Sequence, residues 1–370
     1  MDYFKNVLLS TNNTPIMALT DNANTINLSI GEPHFDIHPE IIDAIQKSLS
    51  DKDTHYSSPQ GLLQLREKYL EKNFKFFDSS FSSDNVIIGA GVSNLLTLLI
   101  ISTLKPGDSV LLVEPYYFSY IYLLKQFNIS IITIPENFCE NDLHNIKNKI
   151  KMILFSNPSN PSGYCFSNLQ LKLLANFAEK KGSLIVSDEI YSKYVYTNNF
   201  ISIGSIYHNS CILNGFSKSH SMTGLRLGVA VGPNCLIKKM VEIQTHSLIC
   251  VPTCIQKGGI MALNINIQER VETYRKNRDR IYEYISKHFI CSKPQGGFYI
   301  FFDSKKIDYE FVDQVKKECN IIMTPGNLFT QNKNFIRIAY CVSENILEKA
   351  INIFNKSSIF EIEIGKKNDY

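Results

Sequence analysis

Apolar residues in this chain gather into short dense runs separated by longer stretches with a helical beat. "NVIIGAG" (85–91), "SVLLVE" (109–114), "SIITI" (130–134) and "KMILFS" (151–156) are rich in β-branched side chains and show no polar alternation. Such runs are strands buried on both faces, as in a parallel sheet covered by helices. Between them, Ser93–Leu104, "YIYLLKQF" and "LKLLANFAEK" repeat apolar positions every three or four residues, as amphipathic helices do. Two more buried runs follow, "SLIVSDEIY" and "SCILNGFSKS". The pattern predicts an α/β fold with a mostly parallel sheet between two helical layers. From Gln268 the rhythm changes. "QERVETYRKNRDRIYEYISKHF" reads as one long charged helix, and the shorter, mixed elements after it predict a smaller α+β unit.

Composition narrows the function more than the fold. The 370 residues are 44% hydrophobic and 20% charged, ordinary for a globular chain long enough for two cores. A net charge of +3 gives no basis for a nucleic-acid partner. The basic run Arg270–Arg280 is interleaved with Glu272 and Asp279 and reads as a solvated helix face. The first ten residues offer only Val7–Leu9 as an apolar run, and the longest apolar stretch, near Leu95–Leu104, is too short to span a bilayer. Neither a signal peptide nor a membrane partner is expected. Nine cysteines without a C-x-x-C pair suit free thiols in a reducing cytoplasm, and no metal site is expected.

The turn Gly89-Ala90-Gly91-Val92-Ser93-Asn94 poses a specific question. It joins a strand to a helix and is one residue short of the dinucleotide fingerprint, with Glu114 ending the next strand where a ribose-binding acid would stand. Against a flavin or nicotinamide enzyme, Asn94 replaces the third glycine, and the motif does not follow the first strand of the chain. The turn still offers backbone N–H groups to a phosphate.

Four other loops carry chemistry. "NPSNPSG" (157–163) is a rigid turn with two Asn-Pro pairs. Asp188 and Glu189 end an apolar strand, where a buried carboxylate needs a partner. Lys218 sits between Ser217 and Ser219 at another strand end, with Arg226 eight residues on. Arg337 lies inside the apolar strand "FIRIAY", where a bound anion would satisfy it. An amine, an acid, an amide, two arginines and a phosphate-binding turn fit a phosphorylated aldehyde held as a Schiff base on lysine.

These residues lie in segments that resemble the class I/II aminotransferases, the fold-type I pyridoxal phosphate enzymes. The segments, in order, are "LSIGEPHFD", "HYSSPQGLLQLRE", "GAGVSNLL", "LKPGDSVLLVEPYYFSY", "NPSNPSG", "SDEIY", "NGFSKSHSMTGLRLG", "RKNRDR", "PQGGFYIF" and "IRIAY", and they cover nearly the whole chain. The resemblance implies a large cofactor-binding domain over 46–274, a small domain from 26–45 and 275–370, and an N-terminal arm over 1–25. It implies that Lys218 forms the Schiff base and shuttles a proton, and that Asp188 pairs with the pyridine nitrogen. Tyr191 and Asn160 would bond the ring oxygen, and Tyr117 would stack on the ring. Gly91, Val92, Ser217 and Arg226 would hold the phosphate, with Tyr56 reaching in from the second subunit of a homodimer. Arg337 would clamp the substrate carboxylate, with Asn160 beside it and Gly31 closing over it.

The implied activity is amino-group transfer between an L-amino acid and a 2-oxo acid by a ping-pong route through Lys218. Ile16, Ile30, Tyr56 and Tyr117 point to an apolar or aromatic donor. A fold-type I carbon–sulfur lyase is the alternative, because it would share most of these motifs. A cofactor-sensing regulator would need a DNA-binding domain, for which residues 1–56 have neither room nor pattern.

Overall fold

The computed structural model describes residues 25–197 and 200–360. The expected arm, except Thr25, and Ile16 lie outside them.

The apolar runs form one seven-stranded sheet. Its order is Val86–Gly89, Gly228–Val231, Ser210–Gly215, Leu184–Asp188, Met152–Ser156, Ser109–Glu114 and Ser130–Pro135. Only Gly228–Val231 runs against the rest. Alternate residues of each strand enter different cores, as the pleat requires. Ile88, Leu111, Ile153, Ile185 and Ile212 face one layer, together with Leu65, Leu171 and Leu174 of helices Leu63–Asn73 and Asn168–Lys181. Ile87, Leu112, Leu154, Val186 and Leu213 face the other, with Leu95, Leu99 and Met240 of helices Val92–Thr103 and Asn234–Ser247. The large unit is therefore the expected αβα sandwich.

The small unit has a core of its own around a four-stranded sheet containing Tyr299–Asp303 and Phe335–Ala339. Helices Gln268–His288, Asp308–Cys319 and Glu344–Phe354 pack on it. In the segment 26–45, Leu28 belongs to this core, while Ile41 of helix Pro39–Ser50 packs into the large one. Strand Ile26–Asn27 pairs with Ile321–Ile322. A separate, aromatic cluster joins the two units and includes Tyr191, Tyr194, Tyr274, Phe298 and Tyr299. Among the described residues, no helix is long and apolar enough to cross a membrane.

Candidate active site

The loops singled out in the sequence meet at the carboxyl ends of the parallel strands, the edge where such sheets bind ligands. At one end of the site Gly91 caps helix Val92–Thr103 with φ +84°, a conformation that disfavours a side chain. A Cβ there would also stand 2.7 Å from Nη2 of Arg226. The guanidinium is thus packed on the turn whose N–H groups open the helix, and both favour an anion. Arg226 is exposed, adopts φ +53° and donates to the Thr223 carbonyl (2.7 Å). Val92 follows, half-buried, and Asn94 Oδ1 accepts from the Ala90 N–H (3.0 Å). The residue that departs from the dinucleotide fingerprint therefore braces the turn.

At the centre lie an acid and an amine. Asp188 ends its strand and is buried. Tyr120 donates to its Oδ2 (2.8 Å) and the Ile190 N–H to its Oδ1 (3.2 Å). Burial still raises its pKa to about 6, against the lowering effects of Tyr120, Ile190 and the Lys218 charge. Burial lowers the pKa of Lys218, whose Nζ donates to the Gly31 carbonyl (2.7 Å). Among the described residues neither group has an ion-pair partner within 4.0 Å. Tyr117, half-buried, meets Tyr120 edge to face at 5.5 Å. Ser217, next to Lys218, is buried.

Glu189, adjacent to Asp188, points elsewhere. It accepts from Ser202 Oγ (2.8 Å), and burial lifts its pKa to about 8. Glu114 is not a ribose ligand either. Its Oε1 accepts from Thr330 Oγ1 (2.5 Å) and the Gln331 N–H (2.9 Å), tying the Tyr117 loop to the small unit. It lines a cleft of about 830 Å³ whose other walls include Glu136 and Phe301.

At the other end Arg337 is only 3% exposed. Its guanidinium lies between the rings of Tyr299 (4.2 Å) and Phe329 (4.5 Å). Nη1 donates to Asn160 Oδ1 (3.0 Å), and Nη2 to the Ser29 carbonyl (2.6 Å) and Thr324 Oγ1 (3.3 Å). Nε has no partner, and no carboxylate of the described residues pairs with the group. A buried guanidinium in this state is suited to a carboxylate ligand. Tyr191, also buried, meets the Tyr299 hydroxyl at 3.0 Å.

Contacts thus draw together Gly31, Asn160, Tyr191, Lys218 and Arg337, the charge of Lys218 reaches Asp188, and Gly91 meets Arg226. Tyr56 stands on the surface, 79% exposed. The sequence reading missed Tyr120, Tyr299, Phe329, Ser29 and Thr324.

The sequence model of the family described as aminotransferase class I and II matches residues 23–354. The chain is 35% identical over 353 residues to the "Probable aspartate aminotransferase" of Methanocaldococcus jannaschii, covering 91% of this chain and 93% of that one. It is 30% identical to the aromatic-amino-acid aminotransferase 2 of Thermococcus litoralis, covering 90% and 91%. The crystal structure of aspartate aminotransferase from Thermotoga maritima superposes with a TM-score of 0.86 at 27% identity, covering 90% of this chain and 92% of that one.

Proposed function

The chain belongs to the class I and II aminotransferases and is an aminotransferase, and from that premise we propose that it works with pyridoxal 5′-phosphate held at Lys218. The observation that carries this reading is the buried Asp188. Its carboxyl is unpaired with any cation of the described chain and lies in one site with a buried amine and a guanidinium lacking a partner at Nε. A protonated pyridine nitrogen supplies the missing cation. The rest of the site fits the group as well. Gly91 leaves room at a helix N-terminus, Arg226 lies over it, and Ser217 is close by in sequence to both Lys218 and Gly215. The Gly91 and Val92 N–H groups, Ser217 and Arg226 would hold the phosphate, Tyr117 the ring face, and Tyr191 with Asn160 the ring oxygen.

When bound, the cofactor supplies an electron-withdrawing ring that acidifies the substrate Cα–H. The chain's own residues do the remaining work. Asp188, ionised beside a cation, keeps the ring nitrogen protonated. Lys218 Nζ, held uncharged more readily by burial, is the nucleophile and then the base that moves the Cα proton. Arg337 binds the α-carboxylate through its planar fork. Asn160 orients that fork from one side, and Ser29 and Thr324 do so from the other. The sandwich of Tyr299 and Phe329 keeps water from the pair.

Relatives bear the names of aspartate and of aromatic-amino-acid aminotransferases. Ile30 and Tyr117, close in sequence to Gly31 and to the Tyr120 contact, favour an apolar or aromatic donor with a 2-oxo acid acceptor. We assign a homodimer in which Tyr56 completes the neighbouring site, consistent with its exposure in the single chain. All nine cysteines are free, which suits a cytoplasmic setting.

The test begins with colour. The purified protein is expected to be yellow, and borohydride should fix the cofactor on Lys218 in a peptide map. Attachment to another lysine, or a colourless protein that cannot be reconstituted, ends the assignment. Release of pyruvate and ammonia from cystathionine without added 2-oxo acid would favour the lyase.

A further inference from the structure

Tyr299 touches Arg337, Tyr191 and the backbone of Gly31 at once. It opens strand Tyr299–Asp303 opposite Ala339, two residues along from Arg337, and is buried. Its ring lies 4.2 Å from the Arg337 guanidinium carbon, and its hydroxyl lies 3.0 Å from that of Tyr191. The same hydroxyl is seated on the backbone of Gly31. A Cβ at residue 31 would come within 1.7 Å of it, so only glycine leaves the space. The Gly31 carbonyl in turn accepts from Lys218 Nζ. One side chain therefore borders the guanidinium, the phenol and the backbone that meets the lysine.

We propose that Tyr299 is a positioning residue that links carboxylate binding to the cofactor end of the site, its ring supporting Arg337 and its O–H supporting Tyr191. This inference rests on the pyridoxal phosphate reading. There, the hydrogen of the Tyr191 hydroxyl is directed to the cofactor, which leaves its oxygen free to accept from Tyr299. Hydrogen bonds in such a chain strengthen one another, so Tyr299 makes Tyr191 the better donor. The charged and titratable groups facing the pair are Arg337, Cys341 and Tyr117. Beyond Gly31 stands Lys218, itself faced by Cys341, Glu32, Arg337 and Arg226. All are left in place by a change at 299.

Two variants of the holoenzyme separate the two duties. Tyr299→Phe keeps the ring and deletes the hydroxyl, whereas Tyr299→Leu removes both. In Tyr299→Phe the pH midpoint of the bound cofactor's visible band should rise by about half a unit, because a weaker Tyr191 donor favours the protonated form. Its affinity for an unreactive carboxylate, 3-phenylpropionate, should stay within about twofold, while Tyr299→Leu loses about tenfold. A midpoint that stays or falls in Tyr299→Phe overturns the hydroxyl's role. Equal loss of carboxylate affinity in both variants overturns the ring's role. A colourless wild type would defeat the cofactor reading itself. A coloured wild type with unmoved variants defeats this inference alone.

Discussion

Arg337 and Arg226 stand at opposite ends of one site, and the chain treats them differently. Arg337 is inside a strand, buried, sandwiched by two rings and hydrogen-bonded to an amide, a carbonyl and a hydroxyl. Arg226 is exposed on a loop and anchored by a single carbonyl. A desolvated, oriented guanidinium contributes strongly to binding and discriminates by geometry. An exposed one attracts an anion but is screened by salt and tolerates small displacements. On the proposed reading, the end assigned to the α-carboxylate is built within one chain, while the end assigned to phosphate is left open for the ligand and, in the homodimer we assign, for the second copy.

The largest effect tests whether that open end is shared. Lys218→Ala should be inactive and Tyr56→Ala badly impaired in cofactor binding. Co-expressed, they can form a mixed dimer in which one site carries both lesions and the other carries none. Activity should return to at most half of wild type per mixed dimer. No recovery, with mixed dimers shown to be present, would mean that Tyr56 does not serve the neighbouring site.

The closed end comes next. Arg337→Ala should raise KM for every amino acid by a similar factor, because all share the α-carboxylate and the lost pair contributes about 2–4 kcal/mol. Arg337→Lys should recover little, as the planar fork is lost. A defect confined to one class of side chain would instead make Arg337 a side-chain reader.

Between the two ends, Asp188 gives a pH signature in the cofactor-free protein. Its pKa in the folded chain, about 6, lies above the ordinary 3.8, so the native state binds the proton more tightly than the unfolded chain. Stability should therefore fall as pH rises from about 4 to about 6, and Asp188→Asn should remove that fall. The cofactor-free variant should melt above wild type at pH 7 and with it near pH 4, while losing activity. Glu189→Gln should show the same sign over a window reaching about pH 8, without the loss of activity. Identical melting of Asp188→Asn and wild type at pH 7 would refute the burial argument.

The smallest effect belongs to the exposed arginine. Arg226→Ala should weaken cofactor binding about tenfold at low salt and by less at high salt. A loss as large and salt-independent as that of Arg337→Ala would erase the contrast between the ends.

Much of this architecture is legible in the sequence. Six of the seven central strands are dense apolar runs, and such runs have few alternatives once turns bound them. Gly228–Val231 escaped because it follows directly on the Arg226 loop and its four small or β-branched residues carry no sign of direction. Lys218, Asp188 and Arg337 were legible as charges set where burial demands a partner. Asp188 and Glu189 were not separable in that way, since only the fold shows which one meets Tyr120 and which one Ser202. Tyr120, Tyr299 and Phe329 occupy positions whose spacing reads as core. Ser29 acts through its carbonyl oxygen, which every residue owns and no sequence pattern marks, whereas Gly31 was named through the resemblance and only its carbonyl contact with Lys218 was not.

Those carbonyls have a consequence for how fast the enzyme meets its substrates. Ser29, Asn160 and Thr324 satisfy the geometry of Arg337 with neutral oxygens and so leave its charge uncancelled. Arg226 would be offset by the phosphate assigned to it, so the uncancelled charge of Arg337 is the one an anionic 2-oxo acid senses before contact. Encounter is thereby accelerated, and the association rate should decline with ionic strength while the dissociation rate stays nearly constant. Had a carboxylate of the chain been given to Arg337 instead, the fork would be equally well held, and the substrate would have to find it by unassisted diffusion.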